Sequence, residues 1–307
     1  MKFKFIDTHR CDYPVVCICR VLGVSSSGYY AWRHRGPSRR AKADQVLQRR
    51  IQQIHQKSRG IYGSPKIHEQ LRQEGICCSR KRVIRLMRQA GISSKRRRSY
   101  KRTTRRNAAH PVAPNRLNQQ FEANEPNQIW LTDITYIRTE EGWLYLAAVL
   151  DLFSRRILGW SMDARMTEAL THKALTMAIA SRKEMPDNLL HHSDRGSQYT
   201  SADYQAFLDQ NKMLVSMSGV GNCYDNAPME SFFSLLKTEL VHHERYPSRQ
   251  DAKTSIFDYI EVFYNRNRIH GAIGYMNPIS FEHRWWQNPA LKEVDKTSLS
   301  SMASVMT

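Results

Sequence analysis

The sequence predicts an α/β domain in the second half of the chain, preceded by all-α modules of the helix-turn-helix type. Three observations carry this prediction. After residue 122, apolar residues alternate between strand and helix periodicities. Paired short helices with glycine turns occupy the first 98 residues, and positive charge is concentrated in that same part. A chain of 307 residues is long enough for one sizeable core and one or two smaller modules.

The charge of the chain is divided very unevenly. Residues 1–120 contain 29 Lys and Arg against 5 Asp and Glu, whereas residues 121–307 contain 18 against 23. A merely solvated surface does not readily account for so one-sided an excess. The basic front part therefore indicates binding to phosphates, with an affinity that falls steeply as the salt concentration rises.

The first module is predicted over residues 1–58. Apolar residues at helical spacing favour a helix over 14–22, and a second helix is expected over 26–34 after the turn Gly23-Val24-Ser25. Ser25 or Ser26 would cap that second helix. A further helix over about 41–56 leads to the next module. Helical pairs of this kind also occur in plain helical bundles, so DNA binding by this module stays an open alternative.

The second module, over residues 59–98, has clearer signals. Ser64-Pro65 is typical of an N-cap followed by proline at the start of a helix, here running to Gln73. Ser79 is expected to cap a helix over 80–90 that ends at Gly91. Its apolar side faces a core, and its basic side suits phosphates or the major groove. The predicted DNA contacts on this helix are Arg80, Lys81, Arg82 and Arg85.

A basic linker is predicted over residues 99–121. The run Arg96, Arg97 and Arg98 comes immediately before it and is expected to bind DNA. Two prolines and few apolar residues over 108–118 indicate a domain boundary. The polar segment 288–307 is predicted to be a flexible tail.

The α/β domain is predicted over residues 122–287. Strands are expected over 129–137, 143–151, 156–162, 189–192 and 213–217, and helices over 167–181 and 202–210. The second strand is almost wholly apolar, which indicates burial on both faces. A glycine-rich loop over 218–227 and helices near Glu230 and over 249–268 follow. This order is consistent with a mixed sheet covered by helices on both sides.

Three acidic residues mark candidate catalytic positions. Asp133 lies inside the first strand, Asp194 follows the fourth, and Glu230 opens a helical stretch. Singly, each has a structural alternative: a strand-end cap, a turn residue or a first-turn helix acid. Together, carboxylates from two strand ends and one helix can converge on two divalent cations that stabilise an in-line phosphoryl displacement.

The sequence around these acids resembles the DDE signature of bacterial insertion-sequence transposases, most closely the OrfB product of the IS-three family. The resemblance extends from about residue 13 to about residue 284. Its motifs are Trp130-Leu131-Thr132-Asp133-Ile134-Thr135-Tyr136, His192-Ser193-Asp194-Arg195-Gly196-Ser197-Gln198-Tyr199 and Asn222-Cys223-Tyr224-Asp225-Asn226-Ala227-Pro228-Met229-Glu230-Ser231. The resemblance implies an RNase H-like, integrase-type catalytic core. It also implies a catalytic basic residue seven positions after the glutamate, here Lys237, which would contact DNA phosphate.

The resemblance further implies a function: metal-dependent DNA strand cleavage and strand transfer at the ends of an insertion sequence. Asp133, Asp194 and Glu230 would hold two Mg²⁺ ions, for which Mn²⁺ could substitute because hard oxygen ligands accept both. The implied partners are element-end and target DNA, the upstream OrfA protein and a second copy of the chain on DNA. A non-catalytic DNA-end-binding regulator and an RNase H-fold nuclease are the two alternatives.

Several other charged residues permit more than one interpretation. Asp151, at the end of the second strand, is predicted to pair with Arg155 or Arg156 rather than to act as a fourth catalytic acid. Asp225 could rival Glu230, but the spacing to Lys237 favours Glu230. Arg266 and Arg268 are expected either to contact DNA or to stabilise a helix C-terminus.

Some classes of protein are not indicated by this sequence. No P-loop is present, so nucleotide hydrolysis is not expected, and no apolar run is long enough for a membrane span. The six cysteines (Cys11, Cys17, Cys19, Cys77, Cys78 and Cys223) form no C-x-x-C pair and are interpreted as reduced thiols, without structural zinc. The expected location is the bacterial cytoplasm, in association with the nucleoid.

Overall fold

The computed structural model describes residues 1–95, 113–219 and 223–288. The predicted DNA-binding run Arg96, Arg97 and Arg98 lies outside the described residues. So do most of the basic linker, the centre of the glycine-rich loop and nearly all of the predicted tail.

Three short helices form a small N-terminal module. They are α1 (Lys2–His9), α2 (Val15–Leu22) and α3 (Ser26–His34), packed around the core residues Ile6, Ile18, Cys19 and Tyr29. Gly23 ends α2 at a φ of 60°, a conformation that glycine adopts without steric cost. The Ser25 hydroxyl accepts a hydrogen bond from the Gly28 amide at 3.1 Å, which confirms Ser25 as the cap of α3. Helix α1 was not predicted, because Ile6 is its one buried residue and no capping side chain announces its start.

The next three helices pack on one another. They are α4 (Arg39–Lys57), α5 (Ser64–Gln73) and α6 (Arg80–Gln89), and their shared interior includes Leu47, Ile51, Ile54, Ile67, Leu71, Val83 and Leu86. Ser79 caps α6 as predicted, accepting from the Arg82 amide at 3.3 Å. The predicted cap of α5 was wrong: Gly63 is the N-cap, and Ser64 lies inside the first turn beside Pro65. The longest helix, α4, belongs structurally with α5 and α6.

A five-stranded mixed sheet forms the centre of the second half. Its strands are β1 (Ile129–Thr139), β2 (Gly142–Asp151), β3 (Ile157–Asp163), β4 (Leu190–Ser193) and β5 (Leu214–Met217), in the order β3-β2-β1-β4-β5. The first three strands are antiparallel neighbours, and β4 runs parallel to both β1 and β5. The predicted strands and the mixed sheet are thus confirmed.

One face of the sheet is covered by α7 (Glu168–Ala180) and α9 (Ala202–Gln210), with the four-residue α8 (Ser197–Thr200) between them in sequence. Helix α7 approaches β3 so closely that a Cβ on Gly159 would lie 2.1 Å from the Ala174 carbonyl oxygen. Glycine is therefore required at this position for helix and strand to pack.

The other face is covered by α10 (Ala227–Glu239), α11 (Arg249–Phe257) and a π-helical continuation, Asp258–Tyr264; α12 (Pro278–Gln287) follows. The predicted helix over 249–268 is therefore too long. The Asn265 amide donates to the Ile260 carbonyl, and the Asn265 side chain bonds both the amide and the carbonyl of Ile157 in β3, at 3.0 and 2.9 Å. Because these bonds draw the chain toward the sheet, the helix ends there.

The α4–α6 module is docked on this second face, and its apolar residues form one continuous core with those of α10 and α11. The Tyr62 hydroxyl accepts from the Ile269 amide at 2.9 Å and donates to the Asn267 carbonyl at 3.2 Å. Lys95 donates to the Glu239 carbonyl at the end of α10 at 2.8 Å. The module is therefore packed directly against the helix that carries Glu230.

A buried ion pair lies at this junction. Arg268 donates to the Glu239 carboxylate at 2.6 and 2.8 Å, and Tyr259 donates to the same carboxylate at 2.7 Å. The bonds to Glu239 outweigh the effect of burial and raise the pKa of Arg268 above its ordinary value. Both predicted roles of Arg268, DNA contact and helix C-terminus stabilisation, were wrong, because the side chain is buried against Glu239. Arg266 is exposed.

Within the part of the chain that the structure describes, no helix combines the length and the apolar character needed to cross a membrane.

Candidate active site and DNA-binding surface

Two of the predicted acids lie near each other along adjacent parallel strands: Asp133 is on β1, and Asp194 directly follows the end of β4. The last paired residues of β1 and β4 are Leu131 and His192, and Asp133 and Asp194 each lie two positions further along. Since side chains alternate along a strand, both carboxylates lie on the α10 side of the sheet, as Leu131 does. Parallel neighbours are about 4.8 Å apart, so these two acids are brought together.

Each of these acids also accepts a local hydrogen bond. The Ile134 amide donates to Asp133 at 2.7 Å, and the Gly196 amide donates to Asp194 at 2.8 Å. The second bond forms the turn considered as an alternative for Asp194, so the turn and a ligand role coexist. Both carboxylates are half-buried and remain accessible to solvent.

Glu230 is exposed in the first turn of α10. The helix is seated by its apolar side, where Met229, Phe232, Phe233 and Leu236 are buried. Just before the helix, the Asn226 side chain donates to the Thr132 carbonyl at 3.1 Å, next to Asp133 on β1. This contact brings the start of α10, and with it Glu230, to the part of the sheet that carries Asp133 and Asp194. We call the place where these three acids lie the acidic edge.

The acids share one edge without forming a ready-made metal cage. Across residues 1–95, 113–219 and 223–288, no three His, Cys, Asp or Glu side chains group closely enough to hold a metal ion. Oxygen ligands from carboxylates are nevertheless the donor set that Mg²⁺ prefers. The chemistry of the donors therefore fits a hard divalent cation. The three side chains would have to move closer together to hold the ion.

Lys237 lies on the same side of α10 as Glu230, since seven residues are nearly two helical turns. Its ammonium group is 4.8 Å from the ring centroid of Tyr136, an exposed residue of β1 that also makes an edge contact with Trp143. This contact holds the cation beside the strand that carries Asp133.

Several buried polar side chains lie next to the acids in the sheet. The Tyr199 hydroxyl lies 3.1 Å from the Thr132 hydroxyl. Burial, with further contributions from the carboxylates of Asp133 and Asp194, raises the pKa of Tyr199 well above its ordinary value. His192 lies between the hydroxyls of Ser216 and Ser218, at 2.9 and 3.2 Å, and burial lowers its pKa to about 4. These side chains are neutral and rigidly placed at neutral pH, so they support the edge without adding charge.

Asp151 and Asp225 are both buried and held by protein donors. Asp151 accepts from the Ser154 hydroxyl, the Ser154 amide and the Asn127 amide at 2.6–2.9 Å. Its predicted structural role is therefore supported. The predicted pairing with Arg155 or Arg156 was wrong, because the Arg155 guanidinium donates to the Phe121 carbonyl and the Arg156 guanidinium to Glu282. Asp225 accepts from the Gln119 side chain at 3.0 Å and from the Gly219 amide at 2.7 Å.

The predicted DNA-contact residues of α6 fall into two groups. Arg80 and Lys81 are exposed. Arg82 and Arg85 both bond the Asp44 carboxylate of α4 at 2.7 Å, and these bonds lower the pKa of Asp44. A cleft of about 760 Å³ opens between the starts of α4 and α6 and is lined by Arg39, Arg40, Ala43, Ser79, Lys81, Arg82 and Arg85. It is a concentrated basic surface of the described residues.

Three residues that contribute to the acidic edge or to the basic cleft were not predicted from the sequence: Asp44, Asn226 and Gln119. Asp44 had a visible signal, because it is one of only five acids in the basic first 120 residues. Asn226 lies inside a quoted motif, but its backbone partner could not be inferred from spacing. Gln119 carried no signal, since its partner lies 106 residues away in sequence.

Comparison with known proteins places the chain among mobile-element enzymes. The family described as "Integrase core domain" matches residues 123–223 and a second "Integrase core domain" family matches residues 230–285, while an "HTH-like domain" matches residues 42–100. A 31 kDa protein of the insertion element IS600 from Shigella sonnei is 44% identical over 273 residues, covering 89% of this chain and 100% of that protein. The transposase InsF of the insertion sequence IS3A from Escherichia coli is 43% identical over 286 residues, covering 92% and 99%.

Two solved structures are also similar. The simian T-cell lymphotropic virus intasome, solved in complex with the PP2A regulatory subunit B56 gamma, is 15% identical over 76% of this chain and 74% of that one, with a TM-score of 0.45. The HTLV-2 integrase catalytic core domain in complex with magnesium is 18% identical over 52% of this chain and 98% of that one, with a TM-score of 0.39.

The family matches confirm an integrase core that follows an all-α helix-turn-helix region, as predicted. They also establish DNA as a partner of the chain. With more than two-fifths of its residues shared over nearly the whole length of known transposases, and with the DDE motifs intact, this chain belongs to the IS3 family of insertion-sequence transposases.

Proposed function

We propose that this chain cleaves DNA strands at the ends of its insertion sequence and joins them to a target, with Asp133, Asp194 and Glu230 as the catalytic acids. One observation carries the assignment. Asp133 lies on β1, Asp194 directly follows its parallel neighbour β4, and Asn226 at the start of the Glu230 helix bonds the Thr132 carbonyl of β1. Carboxylates from three separate elements at one accessible edge suit phosphoryl transfer better than a purely structural role.

The three carboxylates would hold a divalent cation, and we propose two Mg²⁺ ions, with Mn²⁺ as a substitute. When bound, such ions stabilise the charge on the attacking and leaving oxygens of a phosphate displacement. The chain itself supplies the acids, carries one of them on β1 and a second directly after β4, and has the uncharged side chains of Tyr199 and His192 close by.

Lys237 is proposed to bind the DNA phosphate next to the reacting one. Its position over Tyr136 keeps the ammonium group near β1, and a cation there offsets repulsion between the DNA and the acidic edge. The reaction needs an approach of polyanionic DNA to three carboxylates, so both the cations and Lys237 are required for productive binding.

The α4–α6 module is proposed to hold the element end, with Arg80 and Lys81 and the outlying Arg96, Arg97 and Arg98 as phosphate contacts. Arg82 and Arg85, which pair with Asp44 at the rim of the basic cleft, are proposed to contribute as well. The chain is further proposed to act with the upstream OrfA protein and to assemble on DNA with a second copy of itself.

The test is a cleavage and joining assay with the full-length chain, with and without the upstream protein. Labelled DNA ends of the host element are incubated in Mg²⁺, in Mn²⁺ and in EDTA. The variants are Asp133→Asn, Asp194→Asn and Glu230→Gln, which remove one charge each without changing side-chain size. Asp187→Asn, an exposed acid with 72% of its side chain accessible, is the matched control.

We expect metal-dependent joined products from the wild type and the control, and neither cleavage nor joining from the three variants. Cleavage without joining under all conditions would support a nuclease instead. End binding without any reaction, even with the upstream protein present, would support a regulator that occupies the ends.

A further inference from the structure

The short segment that enters the catalytic domain is tied to it by backbone hydrogen bonds. The amides of Arg116 and Leu117 both donate to the Ser216 hydroxyl, at 2.9 and 3.3 Å, and the Leu117 side chain is buried in the core. Ser216 in turn bonds His192 on β4. The segment is therefore fixed on the sheet close to Asp194.

The backbone of the next two residues takes an uncommon conformation. Asn118 and Gln119 have φ values of 43° and 60°, in the left-handed region that residues with a Cβ seldom adopt. Such strain costs on the order of 1 kcal/mol or more per residue and persists only where the surrounding contacts impose it. Here it turns the Gln119 side chain toward the catalytic domain.

Gln119 reaches the carboxylate of Asp225, to which its amide donates at 3.0 Å. The other Asp225 oxygen accepts from the Gly219 amide at 2.7 Å. Asp225 is buried, with 1% of its surface accessible, and a buried carboxylate is stable only with donors of this kind. Although Gln119 is exposed, removing its amide donor would therefore destabilise the buried carboxylate of Asp225.

The position of Asp225 links this contact to catalysis. It lies in the single 3-10 turn over Cys223–Asn226, directly before α10, and Glu230 follows it by five residues. The next residue, Asn226, bonds the Thr132 carbonyl beside Asp133. This short turn thus carries the Gln119–Asp225 contact and the Asn226–Thr132 contact, and together they place the start of α10 relative to the acidic edge.

We infer that Gln119, which lies outside the catalytic motifs, and Asp225, which lies within the third of them, form a latch, a hydrogen-bonded pair that positions Glu230. Glu230 lies in the first turn of α10, so its position depends on how the start of this helix is held. Because a misplacement of about 1 Å can lower a rate by roughly 100-fold, a single hydrogen bond here has catalytic weight. The catalytic part of this inference rests on the proposed function.

The latch is tested by exchanging its two partners in the full-length chain. In Gln119→Glu two carboxylates face each other, whereas in the double variant Gln119→Glu with Asp225→Asn the amide and the carboxylate have changed places. Gln120→Ala, at the exposed neighbouring glutamine, is the matched control. The measurements are the strand-cleavage rate at saturating DNA, the Mg²⁺ concentration for half-maximal rate, DNA affinity and hydrogen exchange of peptides covering residues 223–236.

We expect Gln119→Glu to cleave about 100-fold more slowly and to need more Mg²⁺, with DNA affinity unchanged. Exchange over residues 223–236 should be faster in this variant, and the double variant should restore both the rate and the protection. Gln120→Ala should match the wild type. Wild-type rate and exchange in Gln119→Glu would overturn the latch, as would a double variant no better than the single one.

Failure of the latch and failure of the proposed function give different results. If the wild type does not cleave DNA at all, the proposed function fails, while hydrogen exchange still shows whether the pair holds the start of α10. If the wild type cleaves and Gln119→Glu is equally active, the latch alone is wrong.

Discussion

The carboxylates of this protein fall into two regions that differ in what satisfies them. In the interior, Glu239 and Glu282 are each held by a guanidinium group, and Asp151 by three hydrogen-bond donors. At the sheet edge, Asp133 and Asp194 are half-buried, and Glu230 is exposed. The comparison teaches that full burial of an acid goes with a structural role here, whereas the three predicted catalytic acids are the ones that remain accessible to solvent.

The interior region is expected to show the largest effect on stability. Glu239→Gln would leave Arg268 buried without its counter-charge, which typically costs about 3–5 kcal/mol. The free energy of unfolding, measured with urea, should fall accordingly. Glu244→Gln, at an exposed glutamate five residues further along, serves as the control and should change little. An unchanged unfolding free energy in Glu239→Gln would show that the pair is not required for folding.

The next effect concerns acidification of the interior. Burial, with a contribution from His192, lowers the pKa of His191 to about 3, and its ring bonds the Tyr204 hydroxyl at 3.1 Å. The unfolded chain takes up this proton below about pH 6.5 and the folded chain does not, so stability falls as the pH drops from about 6.5 toward 3. At pH 5 the loss is ~2 kcal/mol from this residue. Unfolding titrations from pH 5 to 7 should show a flatter slope in His191→Gln; an equal slope would contradict the assignment.

The edge region is expected to respond to metal. If Glu230 helps to hold Mg²⁺, the ion stabilises the folded chain by about 1.4 kcal/mol at roughly ten times its dissociation constant. Thermal unfolding with and without Mg²⁺ measures this increase. Glu230→Gln should lose most of the increase while remaining as stable as the wild type without metal. The same increase in both proteins would exclude Glu230 as a ligand.

The smallest effect is expected for an acid that belongs to neither region. Asp44 pairs with Arg82 and Arg85 beside the basic cleft, and Asp44→Asn removes a negative charge from the DNA-binding surface. DNA affinity should rise severalfold, and the slope of log affinity against log salt should steepen by about one. Asp12→Asn, an exposed acid of the first module, is the control. A weaker affinity would show instead that Asp44 orients the two arginines for binding.

The sequence predicted the strands and the acidic edge because both depend on local patterns. The apolar run of β2 and the motifs around Asp133, Asp194 and Glu230 are legible without knowledge of distant partners. The contacts of Arg82, Arg85 and Arg268 were not predictable, since an arginine facing solvent and one facing a buried acid have the same spacing in sequence. The end of the π-helical continuation of α11, at Tyr264, was not predicted for a similar reason: the next residue, Asn265, bonds Ile157, which lies 108 residues earlier.

The shared core of the α4–α6 module and the α10 face has a consequence for how this enzyme can be taken apart. A fragment starting at residue 113 would keep the whole sheet but expose the apolar surface that Ile61, Tyr62, Ile67 and Leu71 normally cover. Such a surface favours aggregation. The catalytic half is therefore not expected to fold well by itself, and a truncated chain that keeps it soluble should begin before α4, so that α4–α6 stays with the sheet.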